Sequence, residues 1–235
     1  MEDQRFAKKG AKTLFVLFLC SLSPSVIAAA TLDQVFAKMD DTAKGFHSVE
    51  CDFEQTKVTV AVDDKFVQSG KLYYARAGKE PRLKLEIGKP KPQQIVLIDK
   101  GKAQRFIPKI NEVQEVSLGG GRTNLVEQLM AIGFGQSSAD LKKNYTVNAG
   151  GEEGIDGQKT AILDLIPKTP VADYKAFRLW VDEQKGVSLQ VKVTETSGDY
   201  VIYKYTNIKL NGNLPNNRFE LNLPKDVHVA AMKLP

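Results

Sequence analysis

From residue 49 onward, apolar and polar side chains alternate along the chain. Val49, Cys51 and Phe53 are separated by Glu50 and Asp52; Leu83, Leu85 and Ile87 by Lys84 and Glu86; and Val187, Leu189, Val191 and Val193 by Ser188, Gln190 and Lys192. A period of two sends successive side chains to opposite faces, so each segment predicts a strand with one apolar and one solvated face. The same pattern predicts strands at Val58, Val60 and Val62, from Phe66 to Arg76, from Gln94 to Asp99 and from Ala103 to Ile107. Later strands are expected around Ala161, Leu163 and Leu165, around Phe177, Leu179 and Val181, from Tyr200 to Leu210, and finally at Phe219, Leu221 and Leu223. Turn-forming residues separate them: Asp63-Asp64, Gly78 to Pro81, Lys89-Pro90-Lys91-Pro92, Lys100-Gly101, Asp182 to Gly186 and Asn211-Gly212.

Elsewhere the period is helical. Leu32, Val35, Phe36, Met39, Ala43 and Phe46 form one stripe, and Thr31 with Gln34 has the spacing of a capping box, so Thr31 to Phe46 predicts an amphipathic helix. Gly119-Gly120-Gly121 interrupts the strands. A second helix is expected from Thr123, with Leu125, Val126, Leu129, Met130 and Ile132 along one face and Gly133 and Gly135 at its end. Ser137 and Asp140 open a third, short helix that stops near Asn144. Two apolar helices hinged by glycines would serve as a lid. The fold expected is mainly β: a strongly curved antiparallel sheet of about ten or eleven strands, an incomplete barrel whose apolar stripes face a common interior.

Composition changes this picture little except at the N-terminus. Hydrophobic (42%) and charged (26%) contents are ordinary for a globular protein. The formal charge of +5 comes partly from Arg5, Lys8, Lys9 and Lys12, and so small a surplus is no argument for nucleic acid. Those cations precede an apolar run, Leu14 to Leu22, and a small-residue exit at Ala28-Ala29-Ala30. Residues 1–30 therefore read as an export signal cleaved near Ala30, and 31–235 as a single domain. Lipidation of Cys20 is the competing reading, but Leu19 stands where a small residue is normally needed. Cleavage after Ala30 leaves Cys51 as the sole cysteine, on an apolar strand position that favours a buried hydrophobe over a reactive thiol.

No catalytic or metal-binding pattern accompanies the strands. His47 and His228 are far apart, no H-x-x-x-H, C-x-x-C or G-x-S-x-G occurs, and the glycine run ending in Arg122 lacks the Lys-Ser/Thr of a phosphate loop. Glu50, Asp52 and Glu54 alternate with apolar residues as an outer face does. Tyr73, Tyr74, Tyr200, Tyr203 and Tyr205 could form an aromatic binding surface, although strands favour tyrosine in any case. Neither enzyme nor cofactor is indicated.

The order of several short motifs resembles the LolA-type outer-membrane lipoprotein carriers. These are F-x-Q at Phe53 and Gln55; Gly70, Leu72, Tyr73 and Arg76; Leu83, Leu85, Lys89 and Pro90; L-x-L-x-P at Leu163, Leu165 and Pro167; Asp182 to Gly186; and F-x-L-x-x-P-K-D-V from Phe219 to Val227. The resemblance implies an unclosed β-barrel covered by helices, with an apolar cavity that shelters the acyl chains of a lipoprotein crossing the periplasm. Phe53, Leu72, Leu83, Leu85 and Ile87 would line the cavity, together with Leu125, Leu129, Met130 and Ile132 of the lid. Arg76 matches the family's lid-latching arginine, although Ala77 replaces the usual following proline and Tyr73 the usual tryptophan. The implied partners are lipoproteins, an inner-membrane ATP-driven releasing complex and an outer-membrane receptor, with the carrier a monomer. An anchored receptor, an envelope lipid sensor and an envelope-lipid hydrolase remain alternatives at this stage.

Overall fold

The computed structural model describes residues 31–77, 80–88, 91–118, 133–170 and 173–232. The expected export signal with Cys20, the glycine run, and Leu125, Leu129, Met130 and Ile132 lie outside these residues. Helix α1 spans Leu32–Gly45, and its capping box is formed: the Gln34 N–H donates to the Thr31 hydroxyl, and the Thr31 N–H to the Gln34 side chain. Strands follow at β1 (Ser48–Thr59), β2 (Asp64–Ala77), β3 (Glu80–Ile87), β4 (Gln94–Asp99), β5 (Lys102–Ile107) and β6 (Glu112–Ser117). After the short helix α2 (Ser138–Asn144) come β7 (Tyr145–Ile155), β8 (Gln158–Pro167), β9 (Tyr174–Asp182), β10 (Ser188–Glu195), β11 (Tyr200–Leu210) and β12 (His228–Ala231).

All twelve strands belong to one sheet, ordered β12-β6-β5-β4-β3-β2-β1-β11-β10-β9-β8-β7. Neighbours are antiparallel except β12, which lies parallel to β6. The sheet is unclosed: β12 and β7 are its two edges. Its center is the β1 pairing with β2 on one side and β11 on the other, so the two halves of the chain meet along the stretch that begins VECDF.

The inner face carries two continuous clusters. Around β7 to β10, Leu163, Leu165, Phe177 and Leu179 are fully buried under Val35, Phe36 and Met39 of α1 and Leu141 of α2. Around β1 to β5, Val49, Cys51, Phe53, Leu72, Leu83 and Ile98 pack with Phe46 and Phe134. Polar contacts hold the helices in place. The Asp40 carboxylate accepts from the Ser138 N–H at 2.6 Å and from its hydroxyl at 2.8 Å, and the Thr42 hydroxyl donates to the Lys185 carbonyl at 2.7 Å.

Three expectations need correction. Val60 and Val62 do not continue a strand; they form a short 3-10 turn, 54% and 71% exposed, because the chain turns at Asp63 (φ 49°) and the Val60 N–H donates to Asp199 instead of a ladder. Leu189 does not share the inner face of Val191 and Val193. A bulge between Ser188 and Gln190 turns it outward onto Trp180 and Ile162. Phe219 is not in a strand either. It closes a 3-10 turn (Asn216–Phe219) and buries itself on the outer face against Tyr73 and Leu97, with the Arg82 guanidinium 4.5 Å from its ring centroid. The last strand is β12, further along the chain.

Candidate functional site

Between the two inner clusters lies an apolar cavity of about 340 Å³. Phe53, Leu72, Leu83, Leu85 and Ile87 all line it. They converge because their pairings leave them on one face: Phe53 is opposite Gly70, Cys51 opposite Leu72, Leu72 opposite Leu85, Tyr74 opposite Leu83, and Gly70 opposite Ile87. Across the groove, the wall is built by Phe177 of β9, Val191 and Val193 of β10, and Val201, Tyr203 and Tyr205 of β11. These residues were legible as strand positions but not as one wall, since sheet curvature decides which distant faces meet. Their alternation in β9, β10 and β11 was the available signal.

Ile98 of β4, Gln55, Glu195 and Tyr174 complete the lining, so its polar groups are few. Burial, with a smaller contribution from Tyr174, pushes the Tyr203 hydroxyl up to about 12. Burial raises Tyr205 well above the ordinary phenol value. Cys51 is buried in the wall, and loss of hydration, followed by the nearby Asp52 and Glu50 carboxylates, raises its thiol. A thiol held protonated is a poor nucleophile. Among the described residues, no three His, Cys, Asp or Glu side chains converge in a way that could hold a metal ion.

Beside the cavity, the segment that leads into α2 is seated on the inner face. Phe134, 2% exposed, is inserted into the inner face with its ring 4.9 Å from that of Tyr205. Gly135 has φ +71°, and a Cβ there would lie 2.0 Å from a ring carbon of Phe46. Glycine is therefore required both by the backbone and by the ring beneath it. Arg76, at the end of β2, reaches the same place: its Nη2 donates to the Gly135 carbonyl at 3.2 Å, and its guanidinium stands 5.3 Å from the Phe46 ring centroid. Phe46 in turn stacks on Tyr74 at 5.9 Å. The sequence marks this seat only as Gly-Phe-Gly, and a lone aromatic between glycines has no period to reveal it.

Comparison with known proteins decides the family. The family model described as "Outer membrane lipoprotein carrier protein LolA" matches residues 44–222. The chain belongs to this family. The outer-membrane lipoprotein carrier protein of Cupriavidus pinatubonensis is 27% identical over 210 residues, spanning 88% of this chain and 89% of that one. An uncharacterized protein of Methanocaldococcus jannaschii is 21% identical over 193 residues, spanning 82% of this chain and 52% of that one. Among solved structures, an uncharacterized conserved protein from Thermus thermophilus shares the fold, with a TM-score of 0.52 at 9% identity over 85% of this chain and 98% of that one.

The lipoprotein carrier family is one of carriers, not of enzymes, and its unclosed β-barrel fold accounts for the cavity just described. The wall residues supply apolar surface, and the tyrosines and Gln55 supply the few directional contacts. Arg76, matched to the family's arginine from sequence, contacts the chain at Gly135.

Proposed function

We propose that the protein is a periplasmic carrier that takes the acyl chains of a lipoprotein into this cavity and shuttles them from the inner to the outer membrane. The observation that carries the reading is the apolar lining contributed by β1 to β4 and β9 to β11. Burying a methylene is worth about 0.8 kcal/mol, so an acyl chain needs a greasy wall and little else. The cavity volume lies at the low end of the ~300–1,000 Å³ typical of small-molecule sites. More than one chain would require the segment at Phe134 to lift, and in this reading Arg76 is the latch that holds it.

The implied route runs from an ATP-driven releasing complex of the inner membrane to an outer-membrane receptor, after the export signal has been cleaved near Ala30. The test is purification of the exported protein followed by mass spectrometry of its N-terminus and of bound lipid. A free Thr31 and intact acylated cargo are expected. Lipid attached to Cys20 would instead make the protein an anchored receptor. Recovery of hydrolysed lipid alone would argue against a carrier.

A further inference from the structure

A polar row spans three adjacent strands of the inner face. Gln68 of β2, Gln55 of β1 and Tyr203 of β11 stand directly opposite one another in adjacent strands. Their side chains form a relay: Gln68 Nε2 donates to Gln55 Oε1, and Gln55 Nε2 donates to Tyr203 Oη at 3.1 Å. The next residue of β1 on this face is buried Phe53 in one direction and exposed Lys57 in the other, each step about 7 Å. Level with Lys57 on the neighbouring strands stand Val201, Val193 and Phe177, all apolar cavity lining, so the row is a polar interruption within the wall.

The relay ends with a donor to spare. Tyr203 accepts from Gln55, and no described residue accepts from its O–H. Like any phenol that hydroxyl stays protonated across the neutral range, and burial pushes it up to about 12. A donor facing an apolar cavity without a partner is costly, and a ligand that brings an acceptor removes the cost. A hydrocarbon chain brings none. A carbonyl oxygen at the root of an acyl chain is such an acceptor.

We propose that Tyr203, positioned by Gln55, binds the ester or amide carbonyl that joins an acyl chain to its polar head. This rests on the carrier reading and deepens it: the ligand class is an acyl compound with a carbonyl linkage, not any lipid of matching length. Tyr203 is the contact, and Gln55 is a positioning residue that acts through it.

The test uses the delipidated protein, a fluorescent fatty-acid probe, and two competitors with matched chains: dipalmitoylglycerol, which has ester carbonyls, and dihexadecyl glyceryl ether, which has none. One net hydrogen bond corresponds to about a three- to tenfold preference for the ester. That preference is expected in the wild type, and Tyr203→Phe should bring the ratio close to one. Gln55→Met, the second variant, should reduce it too, and serves alone if the first folds poorly. Equal affinities in the wild type, or an undiminished ratio in the folded variants, overturns the proposal while leaving the carrier reading intact. Binding of neither competitor, nor of the probe, removes the carrier reading and this proposal with it.

Discussion

Gly135→Ala tests whether the segment at Phe134 is seated on the inner face and removable. Two costs apply if the backbone stays in place. An alanine at φ +71° costs about 1–2 kcal/mol from the left-handed conformation alone. Its Cβ would also meet Phe46 Cδ1 at 2.0 Å and Cγ at 2.4 Å. The ring cannot easily give way, being 5% exposed, stacked on Tyr74 and covered by Arg76. Overpacking of this kind adds about 1–3 kcal/mol. The alternative is for the segment to lift, forfeiting the burial of Phe134, about 1.5–3 kcal/mol, and one hydrogen bond from Arg76, about 1 kcal/mol. The two routes cost about the same, so the variant should lose roughly 2–4 kcal/mol in urea unfolding and populate the lifted form. Uptake of a fluorescent fatty acid should then be faster than in the wild type. Gly157→Ala is the control: its φ is +79° but nothing lies within 4 Å of an added Cβ, so only the backbone cost applies. If Gly135→Ala loses no more stability than Gly157→Ala and takes up the probe at the wild-type rate, the seat is not what holds the segment.

Arg76→Leu removes the contact to Gly135 without touching the wall; it should fold, lose about 1 kcal/mol, and, by freeing the segment, let cargo in faster but impair its retention and transfer, whereas normal lipoprotein transfer would end the latch role. Leu163→Ala opens space between α1 and β8 at a fully buried position, with an expected loss of about 2–5 kcal/mol in chemical denaturation; a loss below about 1 kcal/mol would mean that this half of the core is not close-packed. Alkaline unfolding should report Tyr203. The unfolded phenol ionises near 10 while the native one holds its proton to about 12, so its contribution is complete below pH 10 and is lost as pH rises through about 12. Tyr203→Phe should flatten that decline, and an equally steep profile in the variant would count against a buried hydroxyl.

The strands were legible wherever apolar side chains take one face and polar ones the other, even where, as at buried Lys84 of β3, the polar face is covered as well. Leu83, Leu85 and Ile87 alternate with Arg82, Lys84 and Glu86, and a slip of one residue would put every one of them on the wrong face. Gln94–Asp99 and Tyr200–Leu210 likewise end where turn residues begin. Local pattern misled where a tertiary contact overrode it. The Val58, Val60, Val62 alternation outlasts the strand because Asp199, far along the chain, accepts the Val60 N–H. Leu189 keeps the spacing of the inner face, but a bulge reverses its direction. Phe219 and Leu221 have strand spacing, yet the aromatic pocket formed by Tyr73, Leu97 and Arg82 captures Phe219 on the outer face. For the site, Phe53 and the β3 residues identify one wall. The opposite wall depends on a curvature that no local period records.

The two halves of the inner face are filled differently, and the difference explains why the cavity lies where it does. In the β7 to β10 half, α1 lays Val35, Phe36 and Met39 onto Leu163, Leu165 and Leu179, and the capping box and the Asp40 to Ser138 contacts hold it there. In the β1 to β5 half, Phe46 and Phe134 reach the face from the chain's connecting segments. Ten buried methylenes would be worth about 8 kcal/mol to a ligand, whereas the Arg76 contact is worth about 1 kcal/mol. On the proposed reading, affinity therefore belongs to the wall and the rate of exchange to the seat. A carrier that must release its cargo without chemistry of its own needs that separation: a small change at Arg76 or Gly135 would alter access while leaving the apolar lining untouched.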